Sequence, residues 1–206
     1  GSICGVDGGR FRPDAGRRST IRGAHGIPES ACVFLYLGRL NRDKGMLDLA
    51  NAFALLAHQD AWLVVVGPDE EGMQDKMQAR LGGLRDRCRF VGYTDRPEDY
   101  MAAADVFCLP SYREGFGMVV IEAAAAGIPA VASRIYGVTD AVEDGVTGLL
   151  HQPGDAAGIA REMALIAGDA SRRIEMGRAA RERALSLFSR STITVAWVRF
   201  FGQLLD

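Results

Sequence analysis

The chain has 206 residues, of which 48% are hydrophobic and 24% are charged, and its formal net charge at pH 7 is −2. This composition is typical of a folded globular domain, and it argues against a disordered chain, a disulfide-rich miniprotein and a membrane-spanning protein. The net charge also argues against nucleic acid as the main partner.

Short apolar segments alternate with helical patterns along the chain. In order, strands are predicted at residues 33–37, 62–66, 89–91, 106–109, 130–132 and 148–150. Helices are predicted at 44–58, 71–81, 97–104 and 118–126, with extra C-terminal helices near 155–167, 171–187 and 192–205. Most strand segments are continuously apolar, which is typical of a parallel sheet buried on both faces. We therefore predict an α/β fold, a doubly wound, Rossmann-like sheet of six parallel strands in the order 3-2-1-4-5-6.

Such sheets bind ligands where the strand order reverses, beyond the carboxyl ends of strands 1 and 4. The loop after strand 1 contains Gly38, Arg39 and Lys44. Lys44 stands at the start of a helix, where a cation is unfavourable unless an anion binds there. A guanidinium and an ammonium group can hold a diphosphate from two sides. The alternative interpretation is an arginine paired with Asp43 or Asp48.

The loop after strand 4 combines glycines with two carboxylates. Gly115 and Gly117 allow backbone amides to approach a ligand, and the helix that starts near Met118 directs its free N–H groups to the same point. Glu114 precedes this helix and Glu122 lies one turn into it, so both are candidate acceptors for sugar hydroxyls. Glu122 alone would be explained by the helix dipole, but its combination with Glu114 and the facing cations favours a binding site.

Other catalytic signatures are missing from the sequence. The glycines at 115 and 117 are followed by Val120 where a dinucleotide fingerprint needs glycine, and Ser111 lacks the flanking glycines of a hydrolase nucleophile. We find no Asp-x-Asp pair or His/Cys cluster, so neither a metal nor a cofactor is expected. The cysteines at 4, 32, 88 and 108 have no CxxC spacing and are interpreted as buried free thiols in a reducing compartment.

Arginine is concentrated near both ends of the chain. Residues 1–22 contain five Arg and two Asp, and residues 161–190 contain seven Arg and four acidic residues. Two interpretations stay open: docking to a partner or to a membrane surface, as in peripheral membrane association, and a solvated basic helix face. The second is favoured.

At its two loops the sequence resembles the large family 4 of retaining, nucleotide-sugar-dependent glycosyltransferases, which have the two-domain GT-B architecture. The motifs that carry the resemblance occur in the expected order at residues 5–11, 38–45, 65–68, 90–93, 114–122, 127–132 and 145–150. The most specific is Glu-Gly-Phe-Gly at 114–117 with a second glutamate at 122. The match is to the C-terminal, donor-binding domain and covers nearly the whole chain.

The resemblance implies a catalytic set of Arg39, Lys44 and Glu114. The two basic residues would hold the donor diphosphate and stabilise the leaving nucleoside diphosphate, and Glu114 would bind the transferred sugar near its anomeric carbon. In this family the sugar is thought to be displaced on the same face without a metal, and the leaving phosphate helps to take the acceptor's proton. Glu122 would accept hydrogen bonds from the ribose hydroxyls. The remaining implied donor contacts are Gly38, Gly92, Tyr93, Gly115, Phe116, Gly117, Met118 and Val119, with Gly92 and Tyr93 beside the base.

The family's N-terminal, acceptor-binding domain has no counterpart in this sequence, which also lacks an initiator Met. Residues 1–206 are therefore expected to be a single C-terminal domain, with 1–22 as the segment arriving from the interdomain linker and the missing domain as its partner. We expect the fragment alone to be inactive because it cannot position an acceptor. Residues 192–205 are expected to expose an apolar face, which could also form a dimer.

The expected donor carries UDP or GDP, and the sequence does not identify its sugar or the acceptor. The resemblance points to bacterial surface polysaccharide or lipopolysaccharide synthesis, in the cytoplasm and at the inner face of the membrane. One alternative is a non-catalytic nucleotide-binding module of the same fold, which Glu114 argues against because only sugar transfer needs it. A sugar-phosphate epimerase would lack the spacing between Glu114 and Glu122.

Overall fold

The computed structural model describes residues 5–56 and 60–205, with side chains described up to residue 199. Its strands are β1 (Cys32–Leu37), β2 (Ala61–Val66), β3 (Cys88–Val91), β4 (Val106–Leu109), β5 (Ala130–Ser133) and β6 (Gly148–His151). Its α-helices are α1 (Ala15–His25), α2 (Met46–Leu55), α3 (Met73–Leu81), α4 (Pro97–Ala103), α5 (Met118–Ala125), α6 (Ala156–Gly168), α7 (Ala170–Phe188) and α8 (Arg190–Leu205). A short 3-10 turn (Arg42–Lys44) precedes α2.

The six strands form one parallel sheet in the order β3-β2-β1-β4-β5-β6, which confirms the predicted fold class and strand order. Strand β1 pairs with β2 over its whole length, from Cys32 opposite Ala61 to Leu37 opposite Val66. On its other side β1 pairs with β4, where Phe34 lies opposite Val106. The carboxyl ends of β1 and β4 are therefore neighbours at the reversal of strand order, where the two candidate loops begin.

Alternate residues of each strand enter two separate cores, one on each face of the sheet. Val33 and Leu35 of β1 pack in the core that contains residues of α4, α5 and α7. Phe34 and Tyr36 of the same strand pack in the core that contains residues of α2, α3 and α6. Because both faces are covered, most strand positions are apolar, as the sequence pattern indicated; the exceptions are Arg89, Ser133 and His151.

Helix α1 was not predicted, although it begins inside the segment 1–22 that we assigned to the interdomain linker. Its buried residue is Arg22, which is completely inaccessible and donates to the Asp105 carboxylate at 2.7 Å and to the Ala103 carbonyl at 3.0 Å. Asp14 caps the helix by accepting from the Arg17 amide at 3.0 Å. The side of α1 that packs on the domain carries Arg18, Ile21 and Arg22 and is therefore mainly basic, so a search for an apolar helix face does not find it.

Three of the C-terminal arginines bind carbonyl groups of the fold itself. Arg173 donates to the Ile166 carbonyl near the end of α6 at 2.8 Å, and Arg183 donates to the Asp140 carbonyl at 3.1 Å. Arg181 donates to the Ala125 carbonyl at the end of α5. The guanidinium groups of Arg173 and Arg181 satisfy carbonyls that a helix end leaves unpaired, whereas Arg183 binds a carbonyl in the turn after β5. These arginines therefore have structural contacts within the domain, which neither sequence interpretation anticipated.

The three C-terminal helices confirm the predicted positions within two residues. On α8, Val195 and Val198 expose 51% and 68% of their surface, as expected for an apolar face, while the side chains of 200–205 lie outside the described residues. Within the described part of the chain, no helix is long and apolar enough to cross a membrane.

Candidate functional site

A cleft of about 320 Å³ lies at the carboxyl edge of the sheet, over the ends of β1 and β4. The loops after both strands and the first turns of α5 form its walls. Its lining residues are Tyr36, Leu37, Gly38, Arg39, Lys44, Leu109, Glu114, Met118, Val119 and Glu122. The structure thus brings together the basic residues of the first loop and the carboxylates of the second, as the order of strands requires.

Close backbone contact holds the two loops against each other. Gly45 has a φ of +67°, and a Cβ atom at this position would lie 2.1 Å from the Pro110 carbonyl oxygen. Beside it, the Tyr112 amide donates to the Asp43 carbonyl at 2.8 Å. Only glycine combines this left-handed conformation with so close an approach. The contact fixes Lys44, the neighbour of Gly45, opposite the loop that carries Glu114.

Lys44 and Glu114 form a direct ion pair inside the cleft. The Lys44 Nζ donates to Glu114 Oε1 at 2.6 Å, and the two side chains are only 20% and 13% exposed. The Ser111 hydroxyl donates to the same oxygen at 2.8 Å. Two candidate catalytic residues that are 70 positions apart in sequence therefore contact each other, and Ser111 is a third member of the group.

Arg39 lies at the rim of the cleft and is 62% exposed. Its Nη1 is 3.5 Å from each carboxylate oxygen of Glu70, at the limit of hydrogen bonding, and its carbonyl accepts from the Tyr36 hydroxyl at 2.7 Å. An exposed pair with this geometry contributes little stability, so the guanidinium can be recruited by a ligand at low cost.

The acids that we considered as alternative partners for an arginine of this loop are used elsewhere. Asp43 pairs with Arg113 of the second loop at 2.8 Å. Asp48 accepts from the Tyr112 hydroxyl at 2.5 Å. The alternative interpretation, an arginine paired with Asp43 or Asp48, is therefore met, among the described residues, only by Arg113 with Asp43, while Arg39 pairs with neither acid.

The glycine loop before α5 has a defined shape. Gly117 precedes the helix in the left-handed region, with a φ of +61°, and no side chain caps the helix N-terminus. A Cβ atom at Gly137 would lie 2.0 Å from the Gly115 carbonyl oxygen, so the loop after β5 supports this turn from behind. Gly115, Phe116 and Gly117 border the cleft without lining it, and the first amides of α5 are left available to an anion.

Phe116, in the same loop, is 45% exposed. Its ring packs edge-on against Phe188 at a centroid distance of 5.8 Å. Phe188 is the last residue of α7, and its carbonyl accepts from the Val6 amide at 2.8 Å. The glycine loop is therefore in contact with the end of α7, which is bonded to Val6 and is followed by α8.

Glu122 is half-buried in α5, and within the described residues its carboxylate has no hydrogen-bond partner. Burial raises the pKa of Glu122, and the nearby charge of Arg10 opposes this shift. Arg10 itself donates to Glu98 at 2.8 Å and to the Asp95 carbonyl at 3.1 Å. A desolvated carboxylate without donors is suited to accept from hydroxyl groups of a ligand. Sequence reasoning missed Arg10 near the site because it lies 112 positions before Glu122 in an irregular segment.

Gly92 and Tyr93 do not line the cleft. They follow β3 at the edge of the sheet, where the Gly92 carbonyl accepts from the Gly67 amide at 3.2 Å and Tyr93 is 79% exposed. Their proposed contact with a nucleotide base stays a prediction.

The other potential reactive groups do not gather at a site. In residues 5–56 and 60–205, no group of three or more His, Cys, Asp or Glu residues is arranged to hold a metal ion. Cys32, Cys88 and Cys108 are free and buried, and burial raises the pKa of Cys32 to about 11 and of Cys88 to about 12. Buried thiols with raised pKa values are unreactive. Cys4 lies outside the described residues.

Comparison with known proteins identifies the family. Residues 17–183 match the family model described as glycosyl transferases group 1. The chain belongs to this glycosyltransferase family. The predicted resemblance to family 4 glycosyltransferases of GT-B architecture is confirmed by this match and by the similar proteins described next.

Two curated glycosyltransferases and one solved structure illustrate the similarity. D-inositol 3-phosphate glycosyltransferase of Kribbella flavida is 39% identical over 193 residues, covering 87% of this chain and 45% of the relative. The lipopolysaccharide core biosynthesis glycosyltransferase LpsE of Rhizobium meliloti is 34% identical over 176 residues, covering 85% of this chain and 51% of the relative. HepE of Anabaena, solved in complex with UDP, superimposes with a TM-score of 0.89 at 27% identity, covering 97% of this chain and 56% of HepE. HepE was also solved in complex with UDP-glucose.

This glycosyltransferase chain thus spans about half the length of the relatives that it matches. Partial coverage is consistent with one domain of a two-domain enzyme, as the motifs implied.

Proposed function

We propose that this domain is the donor-binding half of a retaining glycosyltransferase, which moves a sugar from a nucleoside-diphosphate sugar to an acceptor held by a domain outside this chain. The observation that carries the proposal is the ion pair between Lys44 and Glu114 in the cleft at the reversal of strand order. It places a cation for a phosphate and a carboxylate for a sugar hydroxyl within one small volume.

In this proposal the positive charge for the diphosphate comes from side chains and a helix end, not from a metal ion. Lys44 and Arg39 contact the diphosphate from the first loop, while the free amides at the start of α5 contact it from the second loop. These groups stabilise the negative charge that develops on the leaving nucleoside diphosphate as the sugar departs. The leaving phosphate takes the acceptor's proton on the same face.

Binding of the donor exchanges the partner of Lys44. The lysine Nζ leaves Glu114 for a phosphate oxygen, and Glu114 becomes an acceptor for a hydroxyl of the transferred sugar near its anomeric carbon. Glu122, which has a desolvated carboxylate, accepts from the ribose hydroxyls. A nucleotide-binding module without transfer activity would have no use for Glu114 in this position, so its place in the cleft supports transfer.

The nucleotide is proposed to be UDP or GDP, with UDP tested first because HepE was solved with UDP. Titration calorimetry with UDP, GDP, ADP, CMP and inorganic phosphate tests this step, after a thermal-shift screen with the same ligands. A ligand at 100 times its Kd raises the free energy of unfolding by about 2.7 kcal/mol. We expect one nucleoside diphosphate to exceed the other ligands. Absence of binding to any nucleoside diphosphate by the full-length protein contradicts the proposal.

We also propose a role in bacterial surface polysaccharide or lipopolysaccharide synthesis, which the similarity to LpsE supports. A cytoplasmic location, at the inner face of the membrane, is proposed for the same reason, and the free cysteines agree with a reducing compartment. The isolated 206 residues are proposed to be inactive, because no second domain is there to position an acceptor. Sugar transfer by the isolated chain to a surface-polysaccharide acceptor would disprove this.

A further inference from the structure

We propose that Ser111 is a positioning residue of the transfer reaction: its hydroxyl holds Glu114 Oε1, so that Oε2 is presented to the sugar once Lys44 has turned to the diphosphate. This inference rests on the proposed function and deepens it. It assigns a role to a serine that has no part in nucleophilic catalysis.

The two oxygens of the Glu114 carboxylate have different surroundings. Oε1 accepts from the Lys44 Nζ at 2.6 Å and from the Ser111 hydroxyl at 2.8 Å. Within the described residues, no hydrogen bond reaches Oε2. Since Glu114 lines the cleft, Oε2 is the oxygen that is free to accept from a ligand hydroxyl.

The two donors on Oε1 differ in rigidity. Ser111 is completely buried, has a short side chain, and lies two residues after β4. Its neighbours in sequence are fixed, because the Pro110 carbonyl packs against Gly45 and the Tyr112 amide donates to Asp43. Lys44 instead has a long side chain with several rotatable bonds, 20% exposed to the cleft. When a diphosphate recruits Lys44, the serine hydroxyl is the donor that stays on Oε1.

Loss of this hydroxyl has a specific consequence. In Ser111→Ala, Glu114 is held only by Lys44, and it loses both donors when Lys44 binds the diphosphate. The carboxylate then samples several orientations in the step that needs it in one. We expect a fall in kcat of about 10- to 150-fold, the range of a hydrogen bond to a charged group, with little change in the affinity for UDP.

If Ser111 only stabilised the fold, removal of its hydroxyl would not lower kcat selectively. The chain offers a matched control for this case. Ser133 is also completely buried, at the end of β5, and its hydroxyl has no hydrogen-bond partner within the described residues. Ser133→Ala therefore removes the same group from the adjacent strand without touching Glu114. Ser111→Thr keeps the hydroxyl, and Ser111→Cys keeps a side chain of similar shape with a weak donor.

The experiment uses the full-length protein and UDP-glucose as the probe. The release of UDP through transfer of glucose to water is measured and gives kcat and KM. In this reaction the bond between the anomeric carbon and the phosphate oxygen breaks, and a bond between the anomeric carbon and the water oxygen forms. The proton of the water goes to the leaving phosphate or to solvent. Calorimetry with UDP gives Kd, and thermal unfolding gives Tm. We expect Ser111→Ala and Ser111→Cys to lower kcat, while their Kd for UDP stays within twofold of wild type. Ser111→Thr should keep most of the wild-type kcat. Ser133→Ala should leave kcat unchanged.

Three results would overturn the inference: an unchanged kcat in Ser111→Ala, a loss of UDP affinity as large as the loss of kcat, or an equal loss of kcat in Ser133→Ala. If Ser111→Ala does not fold, Ser111→Cys and Ser111→Thr give the same comparison. A wild-type protein that neither binds UDP nor releases it from UDP-glucose rejects UDP-sugar as the donor and the inference with it. Wild-type release of UDP with normal Ser111 variants rejects the positioning role alone.

Discussion

Replacing Lys44 by alanine tests the centre of the proposed site. The wild-type cleft contains two cations, Arg39 and Lys44, and two carboxylates, Glu114 and Glu122, so these four charges sum to zero. The substitution leaves a sum of −1 around a ligand that is itself an anion. It also removes a charge-assisted hydrogen bond to the diphosphate.

For Lys44→Ala we expect a loss of about 1.5–3 kcal/mol in the binding free energy of UDP or GDP, the range of hydrogen bonds to charged groups. This loss corresponds to a Kd that is about 10- to 150-fold higher. Lys44 is only 20% exposed, whereas Arg39 is 62% exposed, so solvent screens the lysine less. Arg39→Ala is therefore expected to weaken binding by a smaller factor than Lys44→Ala.

Titration calorimetry measures these affinities, and the chain contains a natural control. Lys76 is the other lysine of the sequence, and its ammonium group donates to the Glu71 carbonyl in an exposed setting. Lys76→Ala should bind the nucleotide as wild type does. In the double variant Lys44→Ala, Glu114→Gln the unpaired carboxylate is neutralised, and we expect part of the affinity to return. An affinity of Lys44→Ala within twofold of wild type would refute the role of this lysine.

Three further substitutions test other parts of the argument. In the full-length enzyme, Glu114→Gln should lower kcat more than it lowers nucleotide affinity; if calorimetry shows that affinity alone falls, Glu114 is a binding residue only. Gly45→Ala should lower the free energy of unfolding by at least about 1–2 kcal/mol, because the new Cβ meets the Pro110 carbonyl in a left-handed conformation. Gly23→Ala, at an exposed position of α1 where a Cβ meets nothing, should stabilise the fold, and equal urea midpoints for the two variants would contradict this. Burial raises the pKa of Glu122, so its negative charge destabilises the folded state as pH rises above the ordinary glutamate pKa. Glu122→Gln should therefore raise Tm at pH 7 but not below pH 4, and it should weaken UDP binding. A gain in Tm that is independent of pH would argue against the charge as its cause.

Helix α1 illustrates a limit of pattern reading. Its packed side is mainly basic, with Ile21 as the one large apolar residue of the helix, and its anchor is the contact of Arg22 with Asp105, which is 83 positions away. Pattern reading looks for a helix that packs through an apolar face, whereas α1 packs through guanidinium groups that are paired with a carboxylate and with carbonyl groups. The arginines of α7 are a similar case, since the sequence shows their charge but not the carbonyl groups that they bind.

The sequence by itself determined the strand order, the two loops and the residue types of the site, because continuous apolar strands separated by helices admit few topologies and place the ends of β1 and β4 side by side. Only the tertiary structure decided which side chains contact each other within the cleft. Lys44 pairs with Glu114, and the Ser111 hydroxyl donates to the Glu114 carboxylate. Arg39 lies at the rim beside Glu70, and Arg10 lies near Glu122. These contacts depend on how closely the two loops approach, and that distance is set by packing between residues far apart in the chain, such as Gly45 against Pro110.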